Sequence, residues 1–385
     1  MTIMMTSPHY KSQVIGYWMS DKKRQKLNWS EFGKVCRAHG FELKKLDLNI
    51  PLEEQGPFTL ILHKLTDIIA LANQQDETAQ GMINRVESYL ADHPEIAVMD
   101  PLPNVRQLLD RSKSYSIILG SDLGQIDVFT PTFVELTSSD VAENLQTLQS
   151  AGVHYPFVCK PLVGHGSSNA HKMALIFNDK GVADCKPPCV AQTFISHDAI
   201  LYKIFMVGDE YFVVERPSLK NFYPCDEPTI FFDSHDVSKA DSTSALSILD
   251  PEEVPSTLPK PEPSRFSRVV HTLRRELGMA LLGIDVVLEK GSNRYAIIDI
   301  NAYPGYDGYP HFFESLMRCI KDTVKRHQHS LNKSKSADTS VMDPDDSGID
   351  MGYSSDEKKK SLTAGRAQLL HKRTPMTNGL GSGTS

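Results

Sequence analysis

No stretch of the chain approaches the roughly 18 consecutive apolar residues of a membrane helix, so no membrane insertion is expected. Met1 to Tyr10 has neither the basic start nor the apolar run of a secretion signal. Cysteine is sparse: Cys36, Cys159, Cys185, Cys189, Cys225 and Cys319 lack the spacing of a disulfide framework, so reduced thiols in the cytosol are expected. Cys185 and Cys189 bracket Lys186-Pro187-Pro188, a poor zinc signal without a second pair. The net charge of −7 excludes general attraction to nucleic acid or anionic membrane. A polyanionic ligand must therefore be met by cations gathered in a cleft. Common nucleotide signatures are missing too. There is no G-x-x-x-x-G-K-[ST], no H-R-D and no D-F-G, and Gly164-His165-Gly166 lacks a third glycine.

What is present is an acidic hairpin. Gly283-Ile284-Asp285-Val286-Val287-Leu288 and Ile297-Ile298-Asp299-Ile300-Asn301 have strand length, and Lys290 to Arg294 supply the turn between them. Folded symmetrically about Ser292, the hairpin sets Asp285 opposite Asp299, with Asn301 on the same face. Like charges so placed repel unless something strongly positive sits between them. Two carboxylates and an amide oxygen suit a hard divalent cation, and Mg²⁺ typically arrives with phosphates.

At 385 residues the chain exceeds one typical core, and 40% hydrophobic with 23% charged residues is the composition of a soluble globular protein. Segment 14–107 alternates strands and helices, which predicts an α/β unit with a parallel sheet. Segment 108–192 opens on a helix over Val105 to Leu119 and carries strands at Pro156–Lys160, Met173–Phe177 and Cys189–Ile195. Segment 193–325 holds a hairpin at Leu201–Glu215, a helix from Ser264 to Leu277 and the acidic hairpin. Between them, five prolines in 251–263 predict an extended surface loop. Residues 326–385 have ten serines, six glycines and one aromatic, Tyr353, and are expected to form a disordered tail. Leu369-Leu370 within it is a candidate piece for binding an unknown protein.

Cations cluster in three places. Lys160 ends an apolar strand beside the small-residue loop Gly164 to Ala170, which can approach phosphates through backbone N–H groups, with His165 and His171 as further anion contacts. Lys203 interrupts Leu201-Tyr202-Lys203-Ile204-Phe205 on the face opposite Tyr202 and Ile204, and Arg216 and Lys220 follow the next strand. Lys22-Lys23-Arg24 and His63-Lys64 follow strand ends, where α/β sheets collect ligands.

Together these pieces resemble the inositol-tetrakisphosphate 1-kinases, or inositol 1,3,4-trisphosphate 5/6-kinases, of the ATP-grasp superfamily. The resemblance rests on Gly16-Tyr17-Trp18, His63-Lys64-Leu65-Thr66-Asp67, Asp100-Pro101-Leu102-Pro103 and Asp110-Arg111-Ser112-Lys113-Ser114-Tyr115. It continues through His165-Gly166, Arg216 to Phe222, Gly283-Ile284-Asp285 and Ile298 to Gly305, in order over about 14–320. It implies an ATP-grasp fold with an N-terminal pre-ATP-grasp domain, ATP being clamped between the second and third segments. Arg111 and Lys160 would contact ATP phosphates, and Gln192 to Lys203 would carry the adenine side, with Ser218, Ser234 and Ser238 nearby. Asp285, Asp299 and Asn301 would hold two Mg²⁺ ions. Lys23, Lys64, His171, Lys203, Asn301 and Gly305 would receive the inositol phosphates. The loop Gly164 to Ala170 is about one residue longer than the family's, which leaves both His165 and His171 open as the main phosphate contact. The implied reaction is reversible phosphoryl transfer from ATP to inositol polyphosphates by a monomeric enzyme, with no general base assigned. The alternative is an ATP-grasp carboxylate–amine ligase, against which the number of cations argues.

Overall fold

The computed structural model describes residues 13–164, 168–255 and 260–338. The chain begins with β1 (Gln13–Trp18), α1 (Asp21–Gln25), α2 (Trp29–Ala38), β2 (Phe41–Lys45), β3 (Leu60–His63), α3 (Thr66–Asn73), α4 (Glu77–Asp92) and β4 (Ala97–Met99). The four strands pair in parallel in the order β2-β1-β3-β4, as the alternation of strands and helices predicts. Asn28 caps α2 by accepting from the Glu31 N–H at 3.2 Å, and Asp76 caps α4 by accepting from that of Ala79 at 2.8 Å.

Next come α5 (Leu102–Gln107), α6 (Arg111–Leu119), β5 (Val128–Phe129), β6 (Phe133–Leu136), α7 (Val141–Ala151), β7 (Phe157–Pro161), β8 (Lys172–Ile176) and β9 (Cys189–Thr193). The expected single helix over Val105 to Leu119 is thus two. Asp110 stands at the break and accepts from the Lys113 N–H at 3.1 Å, so Arg111 opens a new helix.

The chain then runs through β10 (Ile200–Val207), β11 (Glu210–Pro217), β12 (Ile230–Asp233), α8 (Ser234–Ser238), α9 (Pro263–Leu277), β13 (Leu281–Leu288), β14 (Tyr295–Ala302) and α10 (Phe312–Asp338). Pro263 opens α9, and Gly278 ends it at φ 60°. The proline-rich stretch is less uniformly extended than expected, with a 3₁₀ turn over Pro251–Glu253, and 256–259 lie outside the described residues. Helix α10 continues past 325 to Asp338, which corrects the expected start of the tail. Leu369-Leu370 and the rest of that tail lie outside the described residues.

Two further sheets have five strands each, β12-β8-β7-β9-β6 and β11-β10-β13-β14-β5. Two strands cross the boundaries read from the sequence. β5, from the second segment, pairs in parallel with β14, and β12, from the third, pairs antiparallel with β8. The buried side of the β10–β13–β14 sheet, with Ile204, Ile284, Val286 and Ile297 all at 0% exposure, packs on Phe266, Val269, Val270 and Leu273 of α9. Burial of this kind contributes about 25 cal/mol per Å² of apolar surface. The sheet is thereby a rigid floor for whatever its other face carries.

Candidate active site

The acid pair lies opposite as expected, Asp285 against Asp299, but the hairpin is not symmetrical. From Leu288–Tyr295 to Val286–Ile297 the strands keep a register that, if continued, would set Asp285 against Ile298 and turn Asp299 to the other face. A bulge absorbs Ile298 at this point and restores the acids to one face. It also takes the Ile298 carbonyl out of the ladder, and that oxygen accepts from Lys160 Nζ at 2.8 Å and from the Tyr115 hydroxyl at 2.9 Å.

Each carboxylate is paired with a cation. Arg111 donates to Asp299 Oδ1 at 2.6 Å, and Lys203, directly opposite Asp285 in the ladder, donates to its Oδ1 at 2.8 Å. Asn301 Nδ2 donates to Asp299 Oδ2 at 3.3 Å. Arg111 is anchored further by donating to the carbonyls of Pro161 and Ala170. Among the described residues no group of three or more His, Cys, Asp or Glu is placed to hold a metal ion. The hard-oxygen set is therefore the two carboxylates and the Asn301 amide. All six cysteines are free thiols.

Above this floor opens a cleft of about 1030 Å³, its open mouth included. Arg111, Lys160, His171, Gln192, Lys203, Ser218, Ser234, Ser238, Asp285, Asp299 and Asn301 all line it, so the structure brings together most of the residues singled out from the sequence. Most of the remaining lining is apolar, Val158, Met173, Phe194, Leu201 and Phe232 among it, with Thr193, His197 and His235 as polar members. Lys160 is buried and donates to Gln192 Oε1 at 2.6 Å and to Tyr115 Oη at 3.1 Å. Burial lowers its pKa to about 8, with Arg111 adding to the effect and the two acids opposing it. Gln192 Nε2 is buried without a partner, so it is a donor available to a ligand.

Lys23, Lys64 and Gly305 do not line this cleft. They gather beside it, around the loop after Asn301. Lys64 donates to the Tyr303 carbonyl at 2.9 Å, and Lys23 donates to that of Pro304. Gly283 makes room for this loop, since a Cβ there would lie 2.8 Å from that of Pro304. Burial lowers the pKa of Lys64 to about 8, with Asp67 opposing and Lys26 and Lys203 reinforcing; Lys23 is pushed well below its usual range by burial and by Lys64. His165 lies outside the described residues.

Three contributors were not singled out as site residues from the sequence. Tyr115 is fully buried and, one turn along α6 from Arg111, braces both Lys160 and the bulge. His197 holds Ser218 Oγ at 2.7 Å, and Asp100 ties the first sheet to the third by accepting from the Ala280 and Leu281 N–H groups at 2.7 and 2.9 Å. Nothing in the residue types marks the first two, whereas a carboxylate in the apolar stretch Ala97 to Leu102 is itself a signal. Tyr115→Phe removes two buried hydrogen bonds, one from Lys160 and one to the Ile298 carbonyl, and is expected to raise the KM for ATP about tenfold and to lower the thermal midpoint by several degrees. Steady-state kinetics beside a thermal melt check this.

Two solved structures share the architecture. D-cycloserine synthetase superposes with a TM-score of 0.55 at 11% identity, over 81% of this chain and 99% of its own. A Chryseobacterium gregarium RiPP-associated ATP-grasp ligase gives 0.52 at 14%, over 81% and 97%. At such identities the likeness attests the fold alone, which is the ATP-grasp fold. More specific matches come from sequence. The inositol 1,3,4-trisphosphate 5/6-kinase pre-ATP-grasp domain matches residues 14–105, and the ATP-grasp domain of the same name matches 124–322. The inositol-tetrakisphosphate 1-kinase of Xenopus laevis is 45% identical over 84% of this chain and 82% of its own, and that of Danio rerio 43% over 82% and 80%. The chain belongs to the inositol 1,3,4-trisphosphate 5/6-kinase family.

Proposed function

We propose that this protein transfers the γ-phosphoryl group of ATP to a ring hydroxyl of a soluble inositol polyphosphate. The substrates are inositol 3,4,5,6-tetrakisphosphate, phosphorylated at position 1, and inositol 1,3,4-trisphosphate, phosphorylated at positions 5 and 6. The transfer is reversible and can exchange phosphate between inositols. The observation that carries this reading is the continuity of two basic regions. Arg111, Lys160 and Lys203 sit at the acid floor of the cleft, and Lys64 and Lys23 flank the loop that begins two residues beyond Asn301.

Asp285, Asp299 and the Asn301 amide oxygen fit Mg²⁺ by donor chemistry, and two ions would be held there. Bound Mg²⁺ supplies Lewis-acid neutralisation of phosphate charge. The chain's own residues do the rest. Arg111, with its planar fork, and Lys160, as a point charge, take ATP phosphates. Gln192 donates through its Nε2. The apolar walls with Ser218, Ser234 and Ser238 receive the nucleoside. Lys23, Lys64, His171 and Lys203 hold and orient the polyphosphate, which is the larger part of catalysis in phosphoryl transfer. No side chain is cast as nucleophile, so transfer is direct.

Labelled γ-phosphate incubated with inositol 3,4,5,6-tetrakisphosphate tests the reading. Label in a pentakisphosphate supports it. ADP release only with a carboxylate and an amine would establish the ligase alternative.

A pH effect follows from the corner lysines. A polyanion raises a lowered lysine pKa, so binding takes up a proton where the free lysine is neutral. Affinity therefore falls as pH rises through about 8, far below the ordinary 10.5 of lysine. The KM for the inositol phosphate is expected to climb above pH 8, and to climb less steeply in Lys64→Arg, whose guanidinium stays charged. A KM–pH profile of both proteins checks this.

A further inference from the structure

Three buried polar atoms without partners belong to residues that line one small cavity distinct from the ATP cleft. They are His63 Nδ1, Thr66 Oγ1 and Tyr303 Oη, on residues that are 3%, 1% and 3% exposed, and all three residues line the cavity. His63 comes from the end of β3, Thr66 from the start of α3, and Tyr303 from the loop after β14. Leaving three such atoms unpaired would be costly, and buried polar groups in native proteins are almost always satisfied.

The chemistry of the lining selects the occupant. His63 Nε2 lies 2.8 Å from the Asp100 carbonyl, an oxygen that can only accept, so Nε2 carries the proton and Nδ1 presents a lone pair. Burial also lowers the His63 pKa to about 4, which keeps the ring neutral. A cation is disfavoured because Lys64 lines the same cavity and each Asp100 carboxylate oxygen already accepts from the Ala280 or Leu281 N–H. An apolar occupant would leave the three atoms unpaired.

We infer that one internal water molecule occupies this cavity, donating to His63 Nδ1 and accepting from the Thr66 and Tyr303 hydroxyls. Three hydrogen bonds are typical for a buried water. The water pins Tyr303 to the β3–α3 junction while the Tyr303 carbonyl accepts from Lys64 Nζ at 2.9 Å. It thereby fixes the loop whose carbonyls hold the ammonium groups of Lys64 and Lys23. Tyr303 and Thr66 are then positioning residues for the polyphosphate corner, a role that rests on the kinase reading above.

Two experiments on the full chain test this. A crystal structure at better than about 1.8 Å should show density within hydrogen-bonding reach of all three atoms; an empty cavity, or the atoms bonded to protein, overturns the inference whatever the enzyme's activity. In kinetics, Tyr303→Phe and Thr66→Val should each raise the KM for the inositol phosphate about fivefold and leave the KM for ATP unchanged. Because both act through one water, the double variant should do little more than either alone. A multiplicative effect in the double variant, or an unchanged inositol-phosphate KM, overturns the shared-water role. If the hydrophobic replacements do not fold, Thr66→Ser, which keeps the hydroxyl, should retain near-normal KM beside the density measurement.

Discussion

Asp299→Asn is expected to lower turnover by about a thousandfold or more, because it removes half of the carboxylate charge that would hold the metal against the phosphates. The change preserves size and shape, yet it also leaves Arg111 with its guanidinium buried and its anionic partner gone. Breaking a buried pair from one side costs about 3–5 kcal/mol, less here because the Asp299 side chain is 17% exposed. Asp299→Asn should therefore lose both activity and several degrees of thermal stability. Asp285→Asn separates the two effects. Its partner Lys203 is more exposed, at 23%, and can turn to solvent, so turnover should fall comparably while the melting temperature barely moves. Kinetics and melting curves of both variants check this. Near-normal turnover in either would remove the metal floor from the mechanism.

The second large effect is on stability and lies outside the cleft. Asp100→Ala strips the Ala280 and Leu281 N–H groups of their acceptor at the entrance of β13, where both residues are buried. Two unsatisfied donors cost about 2–4 kcal/mol together. Urea unfolding should show the midpoint falling with an unchanged slope. Burial also raises the Asp100 pKa to about 6 from its ordinary 3.8, opposed by the two N–H groups. The folded chain thus holds this proton more tightly than the unfolded one. The contribution of this carboxyl to stability is fully present below about pH 4, declines up to about pH 6, and is constant above. In Asp100→Ala that decline should vanish. A urea series at pH 4, 5, 6 and 7 reads it directly.

How much of this was legible in the residues depends on the range over which each feature is determined. The acid pair stood out because carboxylates inside Ile- and Val-rich strands are anomalous, and alternation along β10 sets Lys203 on the face opposite Tyr202 and Ile204, where the structure pairs it with Asp285. The bulge was not legible, since Ile298 is as apolar as Ile297 and Ile300 and nothing local says which residue is extra. The break at Asp110 is signalled only by the Asp itself, a capping residue three positions before the Lys113 N–H, inside a stretch whose periodicity reads as one helix. The exchanged strands β5 and β12 are two and four residues long, and their partners lie far along the chain, so local periodicity has no purchase on them. The start of the tail differs from expectation for another reason. Composition speaks to whether a segment has a core of its own, whereas Lys, Arg and Gln favour helix without one, as a continuation of turns already packed.

The exchange of β5 and β12 bears on dissection of the molecule. Severed between β9 and β10, the upstream piece would keep β8 without β12 and the downstream piece β14 without β5, each leaving a row of backbone groups bare where a neighbour had been. Neither fragment is a self-sufficient unit. Mixed together, they carry the complementary strands that each lacks, so reassembly of a split chain, rather than independent folding of its halves, is what this topology favours.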